Sequence, residues 1–145
     1  MQVINDFRMT IDSKSVNESF SRGAVAAFAA QLDPTVDEIS DIKTAVSEAV
    51  TNCIVHAYPD TVGKIYIYAA ILDGGTVKIS VRDKGCGIID VKQAMEPLFT
   101  TLGGERAGLG FAVMESFTDK ITVRSAVGKG TTVTMFKKIN GRAAL

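Results

Sequence analysis

Between residues 76 and 82, Val77, Ile79 and Val81 alternate with Lys78, Ser80 and Arg82, and the alternation stops at Asp83-Lys84-Gly85-Cys86-Gly87. Period-two alternation marks a strand with one buried and one wet face. Such a strand needs a sheet covered on one side, and it delivers Asp83 to the sheet's edge. There the glycines at 85 and 87, lacking Cβ atoms, let the backbone come close to a flat ligand. Residues 3–11 repeat the pattern, with Phe7, Met9 and Ile11 on one face and Arg8 and Thr10 on the other. Residues 64–72 form a further strand, joined to 76–82 through Asp73-Gly74-Gly75 as a hairpin. Residues 120–124 and 131–138 alternate around Val127-Gly128-Lys129-Gly130, a second hairpin.

Two helical stretches follow the first strand. Ser13 or Ser15 caps a helix running to about Gln31, with Val16, Phe20, Ala24, Ala27 and Phe28 as its apolar stripe. Glu18 and Arg22 lie four apart on it, which is ion-pair spacing. Thr35-Val36-Asp37-Glu38 is a capping-box signature for a second helix over 36–57, whose buried face carries Ile42, Ala45, Val46, Ala49, Val50, Cys53, Ile54 and Ala57. Glu48, Asn52 and His56 recur at intervals of four, so they form one row along its flank, with His56 near the helix end as a dipole-favoured cap. A third helix spans 111–117, preceded by Gly108-Leu109-Gly110, and its N-terminus offers free N–H groups to phosphate. The polar stretch 89–107 between strand and helix has the length of a lid.

Helices grouped together and strands arranged in hairpins give an α+β fold, a two-layer sandwich in which a mixed, mostly antiparallel sheet carries its helices on one face. A dinucleotide-binding domain would instead alternate strand and helix, with its glycine fingerprint after the first strand. The 145 residues suit a single domain over 1–145, large enough to fold without a disulfide or metal. Sixteen basic and sixteen acidic residues balance to a formal charge of zero and are scattered, which argues against direct nucleic-acid binding. No apolar run reaches transmembrane length and no signal peptide is apparent, so a cytoplasmic protein with no membrane attachment is expected. The two cysteines, Cys53 and Cys86, read as reduced thiols, and one histidine without a Cys/His cluster argues against zinc.

The motifs, in order, resemble those of the ATP-binding domain shared by the gyrase, Hsp90, histidine kinase and MutL superfamily. Glu48-Ala49-Val50-Thr51-Asn52 with His56 is similar to its N box, Asp83-Lys84-Gly85-Cys86-Gly87 to its first glycine box, Gly108-Leu109-Gly110 to its second, and Gly130-Thr131-Thr132 to its last. Within the superfamily the likeness is greatest to the anti-sigma factors that are serine protein kinases, the sporulation anti-sigma F family. It rests on Asn17-Glu18-Ser19-Phe20 with Arg22, Gln31-Leu32-Asp33-Pro34-Thr35, residues 47–52, Pro97-Leu98-Phe99-Thr100-Thr101 and Glu105-Arg106 with Gly108, and it covers essentially the whole chain. The chain departs from that family at Leu102-Gly103-Gly104 and at Cys86.

The resemblance implies a Bergerat-type ATP site using ATP/ADP and Mg2+. Asp83 would accept the adenine amino group, with Thr131, Gly85 and Gly87 completing the base pocket. Asn52 would ligate magnesium, Glu48 would act as general base on a serine hydroxyl, and Arg106 would neutralise charge on the transferred phosphoryl group. Gly108, Leu109 and Gly110 would serve the phosphates, and Thr100 and Thr101 would anchor the lid. Glu18 and Arg22 would contact partners, and nearby small residues would form a homodimer interface. The implied protein binds and inhibits a sporulation sigma factor, sigma F, and phosphorylates its anti-anti-sigma antagonist. A general-stress anti-sigma kinase, a nucleotide-gated binding module without kinase activity and a detached histidine kinase domain are the alternatives.

Overall fold

The computed structural model describes residues 1–88, 95 and 106–142, with 106–109 described by backbone alone. Its sheet contains β1 (Val3–Asp12), β2 (Lys64–Leu72), β3 (Thr76–Asp83), β4 (Lys120–Ala126) and β5 (Gly130–Lys138) in the order β1-β2-β3-β5-β4. Every pairing is antiparallel, so the sheet is antiparallel throughout. The β3–β5 register sets Val81 opposite Val133 and Ile79 opposite Met135, and all four side chains are buried. The outward residues of the same strands are polar or aromatic. Arg8 lies over the Tyr68 ring and Lys78 over the Phe136 ring, so the long stems shield the aromatic faces while the charges stay wet.

Helices α1 (Val16–Ala29), α2 (Val36–Asn52) and α3 (Arg106–Ser116) cover the inner face. Alpha2 begins with the expected capping box: the Thr35 hydroxyl accepts from Glu38 N at 3.1 Å, and Glu38 Oε1 accepts from Thr35 N at 2.9 Å. Its Ile42, Ala45, Val46, Ala49 and Val50 are buried, as the spacing predicts. At Asn52 the helix changes character, and Cys53–Ala57 form a π-helical turn closed by Tyr58 N donating to Cys53 O at 3.1 Å.

Three local expectations are corrected. Neither serine caps α1. Ser15 occupies the N-cap position without a side-chain bond, while the Ser13 hydroxyl accepts from Gly63 N and ties β1 to β2. The buried side of α1 is Ser21, Val25, Ala26 and Ala29, whereas Val16 and Phe20 are exposed. These small residues face α2, and small side chains let two helices approach closely; larger apolar ones at 16 and 20 would hold them apart. Phe28 remains half-buried and stacks edge-on against Phe7 of β1, ring centroids 4.9 Å apart. Third, α3 starts at Arg106 rather than after Gly110. Among the described residues, no helix is long and apolar enough to cross a membrane.

Candidate functional site

Beta3 ends by carrying Asp83 under the sheet's inner layer, where its side chain is buried. The carboxylate is held on both oxygens. Oδ1 accepts from Gly85 N at 3.0 Å and from Thr131 N at 3.2 Å, and Oδ2 accepts from the Cys53 thiol at 3.6 Å. Desolvation pushes the Asp83 carboxyl above the usual aspartate range, and the two N–H groups and the thiol pull it back only in part. Cys53 answers in kind: burial, the neighbouring charge and the hydrogen bond push its thiol well above normal.

The loop over residues 84–88 is fastened by its backbone. Lys84 N donates to the Tyr58 hydroxyl at 2.6 Å, and that hydroxyl donates to Lys64 O at 2.8 Å. Gly128 N donates to Cys86 O at 2.8 Å, Ile88 N to Ser125 Oγ at 2.7 Å, and the Cys86 thiol to His56 O at 3.2 Å. A Cβ on Gly85 would lie 2.3 Å from Ala57 O, and one on Gly87, at φ 78°, would lie 2.3 Å from Ala126 O. The protein's own backbone therefore occupies the space that a side chain would need at both positions. The same holds at Gly130, where a Cβ would sit 2.2 Å from Asp83 O. These glycines fix the loop's path, and the fixed loop in turn fixes Asp83.

On the opposite side of the site, Glu48 and Asn52 lie one turn apart on α2. Glu48 is half-buried and makes no ion pair or hydrogen bond among the described residues. Both polar atoms of the Asn52 amide are buried, with no hydrogen-bond partner among the described residues. Asn52 faces Gly110 of α3: a Cβ there would meet Oδ1 at 3.0 Å and Nδ2 at 3.2 Å. Because α3 begins at Arg106, its unpaired N–H groups belong to residues 106–109, which include Gly108 and Leu109. Gly110 is the fifth residue, where an N–H turns back to the carbonyl of Arg106, and its closeness to Asn52 is the stronger reason for a glycine there. His56 lies within the π-turn Cys53–Ala57 that follows Asn52.

The first and second helices meet beside this row. Arg22 Nη1 donates to both oxygens of Glu18, at 2.7 and 2.8 Å, and the Ser47 hydroxyl donates to Glu18 Oε1 across the helix pair. Next to it Arg22, Ser40, Lys43, Thr44, Ser47 and Glu48 line an open cleft of about 210 Å3. The Glu18–Arg22 ion pair is thus anchored one residue from Glu48. Thr100 and Thr101 lie outside the described residues, as does the side chain of Arg106, so the lid's part in the site is not placed.

The site therefore brings Asp83, Gly85 and Thr131 together at one end, and Glu48, Asn52 and Gly110 at the other. Sequence reasoning missed two supporting groups. Cys53 reads as an ordinary core residue, and its contact with Asp83 spans 30 positions of chain. Ser125, whose hydroxyl lies 2.8 Å from Thr131 Oγ1 and accepts from Ile88 N, looks like any alternating strand residue. The Asn52 amide fits a hard oxygen-seeking cation: it is buried, has no hydrogen-bond partner among the described residues and has a carbonyl oxygen to give. Among the described residues no cluster of three His, Cys, Asp or Glu exists.

Residues 14–137 match the histidine kinase-like ATPase domain. The chain is 59% identical over 140 residues to the anti-sigma F factor of Caldanaerobacter subterraneus subsp. tengcongensis, covering 96% of this chain and 97% of that protein. It is 49% identical over 142 residues to the anti-sigma F factor of Geobacillus kaustophilus, covering 97% of each. Among solved structures, the RsbU and RsbW domains of a Mycobacterium tuberculosis protein superpose with a TM-score of 0.69 at 24% identity, over 93% of this chain and 32% of that one. The mycobacterial sensor histidine kinase MprB superposes with a TM-score of 0.58 at 16% identity, over 90% of this chain and 97% of that one. These two likenesses concern the fold.

Proposed function

Because the chain belongs to the histidine kinase-like ATPase domain family and, within it, to the anti-sigma F factors, we propose that it holds a sporulation sigma factor, sigma F, and acts on the antagonist that would release it. An anti-sigma role and an ATP-using domain come with that membership. The finer reading is a protein-serine kinase that transfers the γ-phosphoryl group of ATP to a serine of an anti-anti-sigma protein, working in the cytoplasm as a homodimer. The two free thiols, Cys53 and Cys86, support a reducing compartment. One observation carries the kinase reading: the Glu48 carboxylate stands one helical turn from the buried Asn52 amide, neither with a hydrogen-bond partner among the described residues, and Asn52 faces Gly110 of α3.

Each end has its own chemistry. Asp83, already oriented through both oxygens, keeps lone-pair capacity for the adenine amino group, and an ionised carboxylate can only accept, so it disfavours the carbonyl that guanine presents. The N–H groups of the first turn of α3, with Gly108 and Leu109, meet the phosphates at the positive end of the helix. Magnesium, taken by the Asn52 oxygen, would offset the negative charge of the phosphate chain. Glu48 accepts the proton of the incoming serine hydroxyl as that oxygen bonds to the γ-phosphorus; the bond to the β–γ bridging oxygen breaks and ADP leaves. Arg106 would neutralise charge on the transferred group, and Thr100 and Thr101 would hold the lid over it. Glu18 and Arg22 form the partner contact, one residue from the base through Ser47.

The test is transfer of labelled phosphate from Mg-ATP to the anti-anti-sigma protein, run beside Glu48→Gln. ATP affinity should stay within about twofold while transfer falls by roughly 10²–10⁴. Unchanged transfer in the variant would refute the general-base role. ATP binding by the unmodified chain without serine labelling would leave a nucleotide-gated binding module in place of a kinase.

A further inference from the structure

The cleft between α1 and α2 is lined by three charged side chains, Arg22, Lys43 and Glu48, and three hydroxyl side chains. Arg22 is already neutralised by both oxygens of Glu18. Ser47 spends its proton on the same carboxylate, and the Thr44 hydroxyl donates to Ser40 O at 2.9 Å. Lys43 is exposed and makes no ion pair among the described residues. Among the described residues lining the cleft, Lys43 is therefore the one cation and Glu48 the one anion without an ion-pair or hydrogen-bond partner. The complementary solute carries an acid and a proton-donating hydroxyl at a fixed separation.

That separation follows from the helix. Lys43 and Glu48 are five residues apart on α2, about 7.5 Å along its axis and about 140° around it, so their Cβ atoms stand on the order of 10 Å apart and the two side chains converge on the one cleft that both line. In an extended polypeptide, side chains two positions apart point the same way and lie about 6.6–6.8 Å apart, and the flexible lysine stem covers the difference. We infer that Lys43 is a specificity determinant for the phosphoacceptor: it pairs with an acidic side chain two positions from the acceptor serine, seating that serine's hydroxyl at Glu48. This rests on the kinase reading above and adds to it what the acceptor segment must look like. The pair is solvent-exposed, so its effect is on capture rather than on the chemical step.

The experiment uses the full chain, Mg-ATP and the anti-anti-sigma protein, with the labelled serine mapped by mass spectrometry. Lys43→Ala should raise KM about threefold and Lys43→Glu about tenfold, with kcat and ATP affinity near those of the unmodified chain. The loss should shrink as salt is raised, which a purely structural role would not do. Replacing the substrate's acid at the second position by lysine should reproduce the loss, and combining that change with Lys43→Glu should restore most of it. A Lys43→Glu variant with unchanged KM, a fall confined to kcat, or a charge swap without rescue would each overturn the inference while leaving the kinase reading intact. If the unmodified chain labels no serine, the kinase reading fails and this inference fails with it.

Discussion

Gly110→Ala separates the stability of the fold from the function of the site, because the two should move in opposite directions. Position 110 is the fifth residue of α3, inside the helix, where alanine is favoured over glycine by about 1 kcal/mol. Against this stands the contact with Asn52: the new methyl would lie 3.0 Å from Oδ1, 3.2 Å from Nδ2 and 3.4 Å from Cγ. Those atoms belong to a side chain with no hydrogen bond among the described residues, so Asn52 can retreat by a few tenths of an ångström at small cost. Most of the propensity gain survives, and the ligand-free protein should melt about 2–4 °C higher. A magnesium ligand tolerates far less, since metal–oxygen distances hold to about 0.2 Å. A tenfold loss of Mg-ATP affinity is about 1.4 kcal/mol, and at saturating nucleotide the ligand-induced stabilisation drops by the same amount. Thermal melts with and without Mg-ATP read both effects from one preparation. A variant that melts lower without ligand would refute the account of α3. An undiminished Mg-ATP increment would refute the role of Asn52.

Two further predictions concern pH. The raised carboxyl of Asp83 means that the folded state binds this proton more tightly than the unfolded chain. Its contribution to stability is therefore full below the ordinary aspartate range and fades as pH rises through the raised native value. ATP affinity should run the other way, weakening as pH falls through the same window, and the difference in melting temperature between Asp83→Asn and the unmodified chain should change with pH there, because the variant lacks the titrating carboxyl. A difference curve with no slope there would contradict the burial argument. Glu38 has the opposite sign: burial pushes its carboxyl up, but the N–H groups of Thr35, Asn140 and Gly141 outweigh it and leave it lowered. Its stabilisation is present above the ordinary glutamate range and lost as pH falls, so Glu38→Gln should cost about 1–2 kcal/mol at pH 7 and little at pH 3 in denaturant titrations.

The parts of this structure that sequence reasoning reached are those specified within a few residues. The capping box at Thr35 and Glu38 is one such case, since its two hydrogen bonds join residues three apart. The strands are another, because each alternation states which face is wet. The misread parts depend on packing between segments. Val16 and Phe20 are apolar at helical spacing, yet the α1–α2 contact selects Ser21, Val25 and Ala29 because of their size. Two glycines at 108 and 110 argue against helix, but burial of Phe111 and Met114 beneath the sheet extends α3 back to Arg106. Nothing in residues 53–57 announces a π-turn, which differs from an α-turn only in where one carbonyl finds its donor. Of the candidate site, Asp83, Glu48 and Asn52 stand in the ordered motifs. Their supports, Cys53 and Ser125, were not legible, because each acts through a contact made by the fold.

The two thiols also have a practical consequence. Cys86 sits exposed on the loop after Asp83, whereas Cys53 is buried against Asp83 with its ionisation strongly suppressed. Since only the thiolate reacts, an alkylating fluorophore will modify Cys86 first and stop at one dye per folded chain. The wild-type sequence thus supplies its own optical reporter beside Asp83, and on the proposed placement of the base there dye emission should follow nucleotide arrival and departure in real time without an engineered attachment point.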